Sequence, residues 1–148
     1  MSLFEKIDKD IIEALKAGEK ERLTVLRGLE SALKYARIDK GDDLTDQEVI
    51  ASLSSQAKKV RDSIEQFQMG GRDDLVAKER FDLEIISSYL PQQLTEDELR
   101  DIVKSAVEES SAESRRDIGK IMKLVMPRVK GRADGKMVNK LAMELLAK

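Results

Sequence analysis

The sequence contains no cysteine, no histidine and no tryptophan. Without cysteine there are no disulfides, thiol nucleophiles or thiolate metal ligands, and a cytoplasmic setting is the simplest expectation. Without histidine the commonest general base and the commonest imidazole ligand are missing, which removes Ser-His-Asp and Cys-His catalytic sets and histidine zinc sites together. Aromatic residues are 3% of the chain, too few for a platform on which bases stack. No apolar run approaches the roughly 18–20 residues that a membrane-spanning helix requires. The opening Met1-Ser-Leu-Phe-Glu-Lys6 does not read as a signal peptide. No catalytic constellation, metal ligand set or cofactor is expected from what remains.

What is present is charge and helical periodicity. The 148 residues are 41% hydrophobic and 38% charged, enough apolar material for one ordinary domain or two small ones. The net charge of −2 hides a polarised chain. Residues 1–114 carry 17 Lys or Arg against 26 Asp or Glu, whereas Arg115–Lys148 carry ten against three. A basic end on an acidic body orients a protein toward a polyanion and speeds their encounter, and nucleic acid is the leading candidate.

Nearly every segment repeats its apolar residues at helical spacing, and none alternates long enough to suggest a strand. The expected fold is all-α, with two different helical domains: a bundle of about four helices over residues 1–90, and about three short helices over 95–148. Ser2-Leu-Phe-Glu5 has capping-box spacing, and Phe4, Ile7, Ile11 and Leu15 follow on one face before Gly18. A second helix aligns Leu26, Leu29, Leu33 and Ala36. Thr45-Asp-Gln-Glu48, another capping box, opens the longest helix, with Leu53, Ala57, Val60, Ile64 and Phe67 in a stripe. That stripe can pack within the bundle or self-associate, the former being preferred. Gly70-Gly71 ends it. A fourth helix buries Leu75, Phe81, Leu83 and Ile86 until Pro91. A third capping box, Thr95-Glu-Asp-Glu98, starts the small domain, whose later helices carry Ile118, Ile121, Met122 and Val125, closed by Pro127, then Val138, Leu141, Leu145 and Leu146.

The candidate nucleic-acid-binding set is Arg115, Arg116, Lys120, Lys123, Arg128, Lys130, Arg132, Lys136 and Lys140, weighed against an ordinary solvated helix face. Gly131 and Gly135 flank Arg132-Ala-Asp134 before the last helix, so backbone amides there can face a phosphate. Asp134 is equally placed to cap that helix and occupy those amides, and the capped turn is preferred. Gly119, inside a helical pattern, is expected to mark close helix packing. Met122, Met126, Met137 and Met143 are expected in the small core, although methionine-rich surfaces also suit partners. Asp39, Asp42, Asp43 and Asp46 lack calcium-loop order and read as a solvated turn.

Taken together, Ser88-Tyr-Leu-Pro-Gln-Gln-Leu94, Thr95-Glu-Asp-Glu-Leu99, Asp117-Ile-Gly-Lys-Ile-Met122, Met126-Pro-Arg-Val-Lys-Gly-Arg-Ala-Asp-Gly-Lys136 and Val138-Asn-Lys140 closely resemble the GatB/YqeY family along the entire chain. The resemblance implies two helical domains homologous to the tail of the B subunit of glutamine-dependent aminoacyl-tRNA amidotransferase, and a connection with tRNA. It gives Arg128, Lys130, Arg132 and Lys136 a direct motif match. Family descriptions mention carbon-nitrogen ligase activity with glutamine as amide donor, but that chemistry belongs to regions which this chain has no room to contain. The expectation is a noncatalytic tRNA-binding accessory module. Its alternative is an adaptor that docks an amidotransferase or a synthetase without touching RNA.

Overall fold

The computed structural model describes residues 1–147 and divides the chain into two compact units, Met1–Leu90 and Pro91–Lys148. Among the described residues the regular structure is helical. The first unit contains α1 (Leu3–Ala17), α2 (Lys20–Lys40), α3 (Asp46–Met69) and α4 (Asp73–Ser87). The second contains α5 (Glu96–Ser110), a 3₁₀ turn at Arg115–Asp117, α6 (Ile118–Val129) and α7 (Gly135–Leu146).

Local chemistry sets the helix ends. Thr45 and Thr95 each accept a hydrogen bond from the N–H three residues on, while Glu48 and Glu98 accept one from the cap N–H, completing two capping boxes. Ser2 caps α1 through the Glu5 N–H at 3.1 Å. The expected return bond from Glu5 is not made. Instead the Leu3 N–H donates to Asp46 at 2.9 Å, so a carboxylate from α3 serves the start of α1. Gly18 and Gly41 stop α1 and α2 in the left-handed conformation, with φ of 70° and 78°, a region that costs a residue with a Cβ about 1–2 kcal/mol.

The core of the first unit gathers Ile7, Ala14, Leu26, Leu29, Leu33, Val49, Leu53, Ala57, Ile86 and Tyr89. The α3 stripe is thus used within the chain, with Leu53, Ala57 and Ile64 buried. Two expected core positions are corrected. Leu15 is 57% exposed and Ala14 takes its place, because a 3.6-residue period returns to the face of Ile7 after seven residues rather than eight. Phe81 is 36% exposed while Val76 is buried, since α4 turns Val76 and Ile86 inward and leaves Phe81 on the flank beside α2.

Two polar contacts tie α1 down. The buried Tyr89 hydroxyl donates to Asp10 at 2.5 Å, and the Lys6 ammonium lies 5.6 Å from the Tyr89 ring centroid. Burial first, then the Asp10 carboxylate, push the Tyr89 hydroxyl's pKa up. Farther along, the Asp8 carboxyl shares a hydrogen bond with Glu30, and Lys34 holds Glu30 at 3.1 Å. That shared bond, followed by burial and the Glu30 charge, raises the Asp8 pKa to about 6, against the opposing charges of Lys34 and Arg37. Glu30 is lowered, first by the bond with Asp8 and further by Lys34.

The second unit packs Leu99, Val103 and Ala106 of α5 against Ile121, Val125 and Val129 of α6 and Val138, Leu141, Ala142 and Leu146 of α7. Pro127 does not close α6; it lies inside the helix, which runs on to Val129. The ring removes one donor near the helix end, and Val129, fully buried, holds the last turn on the core. Met122 and Met126 lie against this core, whereas Met137 is 37% exposed. Met122 and Met126 therefore take the expected core position and Met137 does not.

Two outcomes follow from this packing. Because the Asp8 pKa is raised on folding, the native state holds a proton that the unfolded chain releases above the ordinary aspartate value of 3.8. Stability is therefore lost as pH rises through about 6. Asp8→Asn keeps a donor toward Glu30 without that loss, and urea melts should find it more stable than wild type at pH 7.5, by on the order of 1 kcal/mol after solvent screening. The two proteins should converge at pH 4. Separately, a Cβ at Gly28, in the middle of α2, would meet nothing within 4 Å. Gly28→Ala should stabilise the fold by up to about 1 kcal/mol, and a lowered melting midpoint would contradict the open space above that residue.

Candidate nucleic-acid interface

The basic set divides by helix face. On α6 the buried side is formed by Ile121, Val125 and Val129, so Lys120 and Lys123, one turn apart and both exposed, stand on the outer side. On α7 the buried side is formed by Val138, Leu141, Ala142 and Leu146. Lys136 and Lys140, four residues apart and exposed, therefore share its outer side. Arg115 and Arg116 are exposed in the 3₁₀ turn, and Lys130 is exposed where α6 ends. Acidic side chains concentrate on α5, where Glu96, Asp97, Glu98, Asp101, Glu108 and Glu109 outnumber Arg100 and Lys104. Within the second unit, charge thus divides between α5 and the α6–α7 segment.

Not every basic residue is equally available to a ligand. Arg128 donates to Glu109 at 2.6 Å, and Lys120 lies 3.5 Å from Asp117. Both pairs are solvent-exposed, where such ion pairs contribute about 0–1 kcal/mol and exchange readily for a phosphate. Asp117 itself is held below the usual carboxylate range, mainly by the Glu113 N–H and to a lesser degree by Lys120. Arg132 is different. It is half-buried, and its Nε donates to the Gln92 carbonyl at 3.2 Å. Its own carbonyl accepts from the Leu94 N–H at 2.9 Å. The positive charge of Arg132 also contributes, after the two hydrogen bonds with Thr95, to holding Glu98 below the usual carboxylate range.

The loop between α6 and α7 is a capped turn. Asp134 accepts from the Lys136 N–H at 3.1 Å, and its carbonyl accepts from Met137 and Val138. The carboxylate occupies the amide end of α7 that a phosphate cradle would need, so any anion here meets side chains rather than a ring of backbone amides. Gly119 does not serve close packing. It is exposed, and a Cβ there would meet nothing within 4 Å. It lies beside Lys120 on the outer part of α6, where it leaves the backbone uncovered.

One feature that sequence reasoning missed is a groove in the first unit. It has a volume of about 820 Å³ and lies among α2, α3 and α4, with Val25, Leu29, Val60, Phe81 and Ile86 forming its apolar lining. Glu21, Lys59, Lys78 and Asp82 bring charge of both signs to it. Burial raises the Asp82 pKa, with Lys78 opposing. The available signal was Gly28, a glycine inside a helix with no turn to make.

Fold and charge together define a helical protein of two units, one of which presents cationic side chains outside an aliphatic core. Residues 4–146 match the Yqey-like protein family, and the chain belongs to that family. The protein called "Altered inheritance of mitochondria protein 41, mitochondrial" from Pyrenophora tritici-repentis is 31% identical over 144 residues, covering 95% of this chain and 79% of that protein. Its namesake from Lachancea thermotolerans is 38% identical over 87 residues, covering 58% of this chain and 46% of its own length. The "Uncharacterized protein C22F3.15" of Schizosaccharomyces pombe is 29% identical over 86 residues, 58% of this chain and 70% of that protein. The mitochondrial names of the first two relatives correct the cytoplasmic expectation. That expectation rested on the lack of cysteine, which shows that a chain needs no disulfide and does not separate one reducing compartment from another.

The cap on α7 gives a direct stability test. Asp134→Ala removes the acceptor from the Lys136 N–H and should destabilise the second unit by about 1 kcal/mol, read as an earlier thermal loss of helical signal. An unchanged melt would mean that solvent caps α7 as well as Asp134 does.

Proposed function

We propose that this protein is a noncatalytic RNA-binding module whose ligand is tRNA, held through phosphate and shape by the outer surfaces of α6 and α7. The observation that carries this reading is the exposure of Lys120, Lys123, Lys136 and Lys140 on a unit whose apolar residues are committed to its core. Residues 91–148 contain no Phe, Tyr or Trp, so base stacking on aromatic rings is not available there and phosphate contact is the chemistry that remains. Membership of the Yqey-like family supports tRNA over other polyanions through its resemblance to the amidotransferase tail. The mitochondrial names of the relatives bring organellar tRNA into the set to be tested.

The groove on α2, α3 and α4 favours a second reading, in which the first unit docks another protein such as an amidotransferase or an aminoacyl-tRNA synthetase. Its apolar lining, with Glu21, Lys59, Lys78 and Asp82 beside it, suits the apolar face of a partner's helix laid into the groove. The two readings are compatible, since they use different units.

The test is equilibrium binding of the full chain to total tRNA across a salt series, beside a Lys123→Glu, Lys140→Glu variant. Neither position contributes to the core, so the variant keeps its fold. Wild type should bind with an affinity that falls steeply with salt, and the variant should bind at least about tenfold more weakly with a shallower salt slope. Absence of binding at low salt would remove the RNA reading and leave the adaptor, whereas an unchanged slope in the variant would overturn the placing of RNA on α6 and α7.

A further inference from the structure

We infer that Gln93 and Arg132 form a clasp that fixes the shape of the basic loop, making Arg132 a positioning residue rather than a phosphate contact. The inference rests on the RNA-binding reading and deepens it. Two segments 38–40 residues apart in sequence meet here. The Gln93 side-chain amide donates to the Gly131 carbonyl at 2.8 Å and to the Pro91 carbonyl at 2.9 Å. A carboxamide nitrogen has two donors, and each has found an acceptor, one on either side of the join. The Arg132 Nε donates back to the Gln92 carbonyl at 3.2 Å, and the Leu94 N–H donates to the Arg132 carbonyl at 2.9 Å. Bonds thus run in both directions between Pro91–Leu94 and Gly131–Arg132.

The residue types suit this role. Glutamate at position 93 would set a carboxylate against two carbonyl oxygens, and alanine would leave both carbonyls without their donor. Lysine at position 132 keeps the charge but has no Nε in the guanidinium plane to reach Gln92. Gly131, with φ of 77°, takes the left-handed turn that presents its carbonyl to Gln93. The loop so held carries Lys130 at one end and Lys136 at the other. A fixed backbone between them sets their separation before RNA arrives, so less order has to be gained on binding. Two motifs that sequence reading keeps apart, the Pro-Gln-Gln-Leu segment and the Gly-Arg-Ala-Asp segment, are in this view one device.

The experiment uses the full chain with Arg132→Lys, Gln93→Ala and Gln93→Glu, measuring tRNA affinity over a salt series and amide hydrogen exchange at Leu94 and residues 130–134. Far-ultraviolet circular dichroism checks the fold of each. Arg132→Lys and the uncharged change Gln93→Ala should each weaken tRNA binding by about three- to tenfold with the wild-type salt slope, because no phosphate contact is lost. Gln93→Glu should exceed both, and exchange should quicken at Leu94 and residues 130–134 alone. Wild-type affinity in Arg132→Lys, or faster loop exchange in Gln93→Ala with unchanged affinity, would overturn the positioning role. A salt slope reduced in Arg132→Lys would also overturn it, by showing a direct phosphate contact. If wild type itself fails to bind tRNA, the RNA reading falls and the positioning role falls with it. Faster Leu94 exchange in the variants would then still mark the clasp as a structural fastening, which separates the two failures.

Discussion

Everything in the second unit follows from one constraint, the aliphatic core where α5, α6 and α7 meet. Three helices of 12–15 residues have little surface to spare, so each commits a full face to Val, Leu, Ile and Ala side chains, and charge is driven to the outside. The sign of that charge then divides by helix. The same constraint explains why Pro127 is tolerated within α6. Pro127 deprives the Lys123 carbonyl, one turn back, of its helical donor, and the buried Val129 keeps the last turn on the core in spite of that loss.

The first unit solves a different problem. Its helices are longer and its core extends from Ile7 to Tyr89, yet the α2–α3–α4 side retains an open apolar groove. Gly28 leaves room there that alanine would partly fill, and Phe81 stays at the margin. Polar fastening is concentrated instead on α1, through the Tyr89–Asp10 bond and the Asp8–Glu30 pair. α1 is thus held by these ionisable groups as well as by the packing of Ile7 and Ala14.

Local rules in the sequence were strong enough to reveal the helices and several of their ends. The Thr45 and Thr95 capping boxes and the glycine stops at 18 and 41 need only neighbouring residues, and so they are legible without a structure. Errors arose where the answer lay in another segment. Asp46, not Glu5, serves Leu3 because α3 passes the start of α1. Phe81 looks buried by spacing, but which flank of a helix is covered depends on the partner it meets; Leu15 is the exception, because its exposure follows from the helical period itself. The basic residues could be listed from sequence, yet nothing local to Arg132 shows that its guanidinium is directed to the carbonyl of Gln92. Gly119 reads as a packing residue by the same local logic, and only the surrounding space shows that nothing packs on it.

The distribution of aromatic rings has an optical consequence. Phe4, Phe67, Phe81, Tyr35 and Tyr89 all belong to the first unit. Of the tyrosines, Tyr35 is 73% exposed and Tyr89 only 7%. Near-ultraviolet absorption and tyrosine emission therefore observe residues 1–90 alone, with Tyr89 as the ring whose surroundings change most on unfolding. The α5–α7 unit is dark at those wavelengths, visible only through its peptide bonds.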